Sequence, residues 1–340
     1  MKKLSITLCT LLLLGCAYSK DNALDILTLF SSKSTSQNKV WVGTFQLAFN
    51  DMKNFIIKKD VIFEKEKPTK ELKALNKEEF NSSMLNDSTY YTSYGETSPE
   101  AKEKIAKDLD EKFKTKSDIL DSGDWSRGLG KYYTYAMLKK DFEFLNPFDK
   151  LEAKSFNNSK EKYEFFGIDN KSNEALNDNL AVLFHNKKEY AIRLYTKNDD
   201  IVYLYKTNSN KDFKSIYKNL DKQSKNYKGD RFFNSKDTLA VPNLKIKDKR
   251  SYDELCNKII KGTNIYFSQA LETIELSLNN EGGSVKSEAM LMTKMAMIPI
   301  SKKTQPRNFN FDETFVLFLI DKNKKDPYLA LRIKDLKGLQ

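Results

Sequence analysis

Residues 279–301 read NNEGGSVKSEAMLMTKMAMIPIS. Immediately before them Ile274, Leu276 and Leu278 alternate with Glu275 and Ser277, the period-two pattern of a strand with one buried face. The Gly282-Gly283 pair should end that strand. Beyond it the chain offers neither a tight turn nor a polar linker but a run of small residues and methionines closed by Pro299, and the next strand pattern opens only near Phe309. So long an apolar segment between two strands is the feature that any fold assignment must explain.

The chain has 340 residues, with 22 Phe and 17 Tyr, enough for a substantial core, and its 12 Gly and 7 Pro argue against low complexity. Its formal charge is +11. Lysines and acids are nevertheless interleaved, as in EKEKPTKELKALNKEE (64–79), and no Arg-rich or aromatic-plus-basic motif suggests nucleic acid. A mixed, solvated surface is expected, with weak attraction to an anionic membrane surface.

Lys2 and Lys3 precede an apolar run, residues 4–14, too short to span a bilayer but suited to the h-region of a signal peptide. The run ends in LLGC (13–16), which resembles the lipobox of bacterial lipoproteins and implies cleavage before Cys16 and its lipidation. An ordinary signal peptide with an incidental Cys16 is the alternative. Residues 1–15 are thus expected to be a leader and the Ser/Thr/Asn-rich stretch 16–38 a lipidated tether, within which LDILTLF (24–30) could pack locally. The location is then extracytoplasmic, on a bacterial membrane. Of the three cysteines only Cys256 would remain, so no intramolecular disulfide is expected. Its spacing with Tyr252, Leu255, Ile259 and Ile260 predicts a buried thiol on a helix stopped by Gly262.

A single histidine, His185, argues against Ser-His-Asp, Cys-His and most zinc chemistry. Its setting, NLAVLFHNKK (179–188), suggests a strand end or turn at the surface. No P-loop, dinucleotide fingerprint or EF-hand loop occurs. No metal and no cofactor are expected, and an enzyme is not.

Phe45, Phe49, Met52 and Ile56 recur at helical spacing. Ser98-Pro99 reads as an N-cap with proline in the first turn, and Ile105, Leu109 and Phe113 share one face of the ensuing helix, which should end by Asp121. From Lys131 onward the chain turns to strand-like runs: YYTYAML, EYAIRLY, DIVYLYK, TLAVPNLKIK, TIELSLN, ETFVLFLI and YLALRIK. With no repeat or linker beyond residue 39, the pattern predicts one α+β domain, 39–340, with several mixed or antiparallel sheets.

The order of these segments resembles the serpin family over roughly residues 98–336. IAKDLDEKFKTKSDILD (105–121) resembles the family's helix across its main sheet, and YYTYAMLKKDFEFLNPFDK (132–150) the central strand and Phe-containing turn after it. NLAVLFHNKKEYAIRLYTKNDDIVYLYK (179–206) resembles the paired strands further on, and AVPNLKIKDKRSYDELCNKIIKGTNIYF (240–267) the Pro-Lys-Phe series. IELSLNNEGG (274–283) is similar to the strand and hinge before the reactive loop, and FNFDETFVLFLIDKNKKDPYLALRI (309–333) to the last two strands. Thr314 stands where the family usually has Pro and Leu331 where it has Gly, and the chain lacks the family's Asn-x-x-x-Ser-Pro helix.

The resemblance implies that Glu281, Gly282, Gly283 and Ser284 form a hinge and that the residues after them are offered to a protease. It implies a scissile bond near Met297-Ile298, with Lys294, Lys302 or Lys303 as alternatives. It also implies that Ser284 points into the sheet, which would put Lys286 and Glu288 inward if the cleaved loop inserted as a strand. Burying those charges would oppose inhibition; a one-residue shift would bring Val285, Ser287 and Ala289 inward instead. Two functions stay open: a monomeric protein-binding module, extending to protease inhibition through residues 281–301, or a non-inhibitory surface lipoprotein whose loop is inert.

Overall fold

The computed structural model describes residues 24–197, 200–284 and 305–340. Strands β1 (Asp25–Ile26) and β2 (Lys39–Val42) lead into helix α1 (Thr44–Asp51), which continues as a π-helical segment, Met52–Ile57. A short α2 (Lys70–Leu75) precedes β3 (Tyr90–Glu96) and α3 (Pro99–Phe113). Then come β4 (Tyr132–Leu138), β5 (Phe142–Glu143), the pair β6 (Asp149–Ser155) and β7 (Lys162–Ile168), and the meander β8 (Leu180–His185), β9 (Tyr190–Tyr195), β10 (Asp200–Lys206). Helix α4 (Phe213–Asn226) is followed by β11 (Thr238–Pro242), β12 (Leu244–Ser251), β13 (Leu271–Leu278) and β14 (Gly282–Ser284). Strands β15 (Asn308–Asn310), β16 (Phe315–Asp321) and β17 (Leu329–Ile333) close the chain.

The expected α+β class is observed. A seven-stranded sheet has the order β1-β2-β17-β16-β10-β9-β8, one four-stranded sheet the order β15-β11-β7-β6, and another β12-β13-β14-β5, while β3 and β4 form a pair. The seven-stranded sheet is the hydrophobic centre: every residue of β16 and β17 is buried, which is why FVLFLI and LALRI run continuously apolar instead of alternating. By contrast β12 and β13 alternate buried and exposed positions, the mark of a sheet covered on one face.

Helix α3 forms where its signals lie. The Ser98 hydroxyl accepts from the Ala101 amide and Pro99 opens the first turn. Ile105, Leu109 and Phe113 are buried against Tyr135 and the half-buried Tyr91, Tyr133 and Met137. The helix stops earlier than Asp121, at Phe113, because Lys114 adopts a left-handed conformation (φ 49°).

Two expectations are corrected. Residues 24–38 are not all tether: Leu24, Ile26, Leu27 and Leu29 are buried and β1 pairs in parallel with β2, because LDILTLF carries enough apolar surface to add an edge to the main sheet. The helix expected over 252–261 is absent. A single 3-10 turn, Asp253–Leu255, is broken at the left-handed Asn257 (φ 58°), and β-branched Ile259 and Ile260 make bridges to Tyr266 and Phe63. Cys256 is buried as expected, its thiol 3.5 Å from the Tyr252 carbonyl.

Between β4 and β5 the chain is pinned by a buried charge. Lys140 is ion-paired with Asp200, its Nζ lies 3.6 Å from Asp321 Oδ2 and 4.6 Å from the centre of the Tyr328 ring, and all four side chains are buried. Tyr328 donates to Asp200 Oδ1 at 2.9 Å. Burial pushes the Asp200 carboxyl above its ordinary range, with Lys140 pulling it back. Removing the cation leaves buried, uncompensated carboxylates, so Lys140→Met should lower the unfolding free energy by about 3–5 kcal/mol. Denaturant titration checks this, and adding Asp200→Asn should recover part of the loss.

Candidate functional site

The site is built where the sequence turns from strand to loop. On β13 the side chains of Glu272, Ile274, Leu276 and Leu278 are buried and Glu275 is exposed. Asn279 then makes the turn, its Oδ1 accepting the amides of Glu281 (2.9 Å) and Gly282 (3.2 Å) while its own amide donates to the Gly282 carbonyl (2.8 Å). The chain returns as β14, antiparallel to β13 through Ser277↔Ser284 and Leu278↔Gly283. On its other side β14 is antiparallel to β5, through Gly282↔Glu143 and Gly283↔Phe142. The carbonyls of Glu281 and Asn280 accept from Phe144 (2.9 Å) and Phe148 (2.8 Å). Strand β5 is held in turn by Lys197, whose amide donates to the Glu143 carbonyl and whose Nζ is 2.8 Å from Glu143 Oε2.

The hinge therefore lies as a third strand between two others, and its two glycines make this possible. A Cβ on Gly282 would lie 2.1 Å from the Phe142 carbonyl oxygen, and one on Gly283 2.4 Å from Phe142 Cζ and 2.8 Å from the Ser277 carbonyl oxygen. Neighbouring atoms fill both positions.

Beyond this short strand the sheet is divided. β4 pairs with β3 and β13 with β12, and among the described residues no ladder joins β4 to β13. β14 joins β13 to β5, the short strand that follows β4 in the chain.

Sequence reasoning placed the hinge residues together, and the structure brings Glu281, Gly282, Gly283 and Ser284 into one turn and strand. The expected inward direction of Ser284 is corrected. Ser284 is exposed and its hydroxyl lies 2.6 Å from that of Ser277, on the face opposite Leu276 and Leu278. The pairing Leu278↔Gly283 gives the inward position to a residue without a side chain, and alternation then turns Ser284 outward. Cys16, Met297 and Ile298 lie outside the described residues.

The chain re-enters the described structure at a second anchor. Arg307 Nη2 is 2.6 Å from Asp237 Oδ2, the Arg307 amide donates to Asp237 Oδ1 (2.8 Å), and Nη1 donates to the Asp230 carbonyl (2.7 Å). The Asp237 side chain is only 1% exposed. Next to this pair β15 runs parallel to β11. His185 ends β8 as expected, stacked on Tyr190 with its ring edge toward Phe309. Burial, followed by nearby Arg307, holds its imidazole below the ordinary value. Sequence reading missed Asn279, Phe142, Glu143 and the Arg307–Asp237 pair. For Asn279 a signal existed, since Asn-Asn before a Gly-Gly is turn chemistry.

Among the described residues no group of three or more His, Cys, Asp or Glu side chains could hold a metal ion. No family model and no curated protein matches the sequence. Solved structures do match. The thermophilic serpin tengpin, in its native state, has 12% identity and a TM-score of 0.50, covering 90% of this chain and 91% of that one. Serpin48 of the insect Tenebrio molitor has 13% identity and a TM-score of 0.45 over 88% and 92% of the two chains. Thyroxine-binding globulin in complex with thyroxine has 11% identity and 0.47 over 87% and 92%. The chain has a distant serpin-like fold.

Because both hinge glycines face close neighbours, Gly282→Val should lower stability by about 1–3 kcal/mol. Hydrogen exchange at the Phe144 and Phe148 amides should accelerate. Unchanged protection at both would show that docking of β14 does not depend on the missing Cβ.

Proposed function

We propose that this chain is an exported lipoprotein, anchored through Cys16 on the outer side of a bacterial membrane, whose serpin-like domain is a protein-binding module with residues 281–301 as its contact. No catalytic role is proposed. Within this reading the loop acts as protease bait, cut near Met297-Ile298, and its first residues then lengthen β14.

One observation carries the inhibitory form of the proposal: the register of β14, with Gly283 inward and Ser284 outward. If the strand grew in that register, alternation would direct Val285, Ser287 and Ala289 toward the core and Lys286 and Glu288 toward solvent. Small and apolar residues would then take the buried positions, and the cost of burying a lysine and a glutamate disappears. Full burial of a valine or leucine side chain contributes about 1.5–3 kcal/mol. The pairing supports the same reading: among the described residues β4 has a ladder with β3 alone, and β13 from Leu271 to Leu276 with β12 alone, so each has an edge that a longer strand could use.

The test is thermal unfolding before and after a protease nicks the loop between residues 290 and 303. Each added kcal/mol shifts Tm by about 2 °C in a domain this large, so insertion should raise it by about 10 °C. Val285→Arg should leave cleavage unchanged and abolish the rise. A wild-type protein that is cut but gains no stability would refute insertion and leave a binding module that displays its loop without trapping a protease.

The anchor is tested separately. Cys16→Ala should move the protein from the detergent phase to the aqueous phase on partitioning, and unchanged partitioning would overturn the lipoprotein reading.

A further inference from the structure

The two halves of the divided sheet meet over one helix. α1 packs against β3, β4 and β13, and each end of it is fastened by a carboxylate. At the N-terminus stands Glu272, buried on the inner face of β13. Its Oε1 accepts from the Thr44 hydroxyl (2.8 Å), its Oε2 from the Tyr252 hydroxyl (2.6 Å), and the Phe45 amide also donates to it. At the other end Asp51, the last residue of α1, is hydrogen-bonded by the Thr92 side chain of β3, while its Oδ2 is buried with no partner.

The charged groups around these carboxylates are engaged elsewhere. Arg250 of β12, whose guanidinium lies 4.3 Å from the Tyr252 ring centre, donates to the Ile26 carbonyl and pairs with Glu254 at 2.7 Å. Lys53, two residues after Asp51, pairs with Glu78 at 2.8 Å and lies 3.6 Å from Asp60. Among the described residues neither carboxylate is ion-paired, although Arg250 acts on Glu272 from a distance.

We propose that α1 is a protonation-dependent clasp across the divided sheet: with Glu272 and Asp51 protonated it holds the β12–β13 half to the β3–β4 half, and with them ionised the halves separate more readily. Its link to function rests on the reading of residues 281–301, because separation of the halves is what would admit a longer strand. The clasp itself does not depend on that reading.

Burial pushes Glu272 up to about 7 against its three donors and Arg250, all of which favour the ionised form, and pushes Asp51 up to about 6 against the Thr92 donor. Both are acids that the folded state protonates more readily than the unfolded chain. Their contribution is therefore complete below the ordinary carboxyl range and is lost as pH rises toward 7. The sign is the reverse of an ion-paired carboxylate, which loses its contribution on acidification.

The experiment is hydrogen exchange on the full chain at pH 5 and pH 8, corrected for intrinsic rates, with Tm followed over the same range. Amides of α1 and of β13 from Leu271 to Leu276 should open at least about tenfold more often at pH 8, one pKa unit corresponding to a tenfold ratio, and Tm should fall as pH rises. Glu272→Gln retains oxygen and nitrogen where the hydroxyls bond, and should remove most of this pH dependence; Asp51→Asn should remove the remainder. Should either variant fail to fold, the infrared band of a protonated carboxyl in the wild-type protein, lost between pH 6 and 8, provides the second measurement. Equal exchange at the two pH values, or the same pH slope in wild type and Glu272→Gln, would overturn the clasp. A nicked protein that gains no stability would overturn insertion while leaving this result untouched.

Discussion

A carbon atom in the Cβ position of residue 282 would lie 2.1 Å from the carbonyl oxygen of Phe142, and the organisation of this molecule depends on there being none. Strands β5 and β13 run parallel to each other with room between them for one antiparallel strand, provided that its first residues have no side chains. Gly282 and Gly283 satisfy that condition, and the Asn279 side chain closes the turn that delivers them. Among the described residues β4 and β13 share no ladder, and α1 contacts both.

The same restriction explains which parts of the fold could be read from the chain. Wherever one face of an element is buried and the other wet, residue types report it: Ile105, Leu109 and Phe113 mark α3, and the alternation from Ile274 to Leu278 marks β13. The α+β class emerges from such patterns, whereas the serpin-like reading rests on the resemblance of the segment order to that family. Parity at Ser284 could not be read, because it depends on which residue of β14 faces Leu278, and a one-residue change reverses every later side chain. Segment 252–261 has helical spacing, yet the left-handed Asn257 and tertiary bridges at Ile259 and Ile260 override it. Local packing of LDILTLF is legible in its apolar residues, but its pairing as an edge of the main sheet depends on β2 and is not.

Buried charge was equally hidden. In a chain with 58 Lys and Arg nothing distinguishes Lys140 from its neighbour Lys139, yet Lys140 is the one that joins the Asp200–Tyr328 cluster. Lys39 and Arg332, adjacent across the β2–β17 ladder, are both buried and are held by carbonyls of the segment preceding α4: Lys39 by Asn210 and Lys211, Arg332 by Ser209. Burial, followed by Arg332, pushes Lys39 down to about 8. Each of these cations joins elements far apart in sequence, which makes it invisible to local pattern and important to tertiary structure. Arg307 with Asp237 does the same where the chain returns from the loop.

These fastenings differ in what would undo them, and that difference bears on how a divided sheet can be stable and still able to change. The Lys140 and Arg307 sites set opposite charges side by side. Glu272 and Asp51 have hydroxyl and amide donors but no ion pair among the described residues, and their ionised forms are the costly ones in a buried setting. A joint of the first kind keeps the seven-stranded sheet and the loop's far anchor in place. A joint of the second kind lies where β13 and β3 meet α1, the line along which the halves would have to separate. Any rearrangement can shift an equilibrium only by the difference in free energy between its two states. Under the proposed insertion, the contacts of Glu272 and Asp51 are the ones that a separation of β13 from β3 would change.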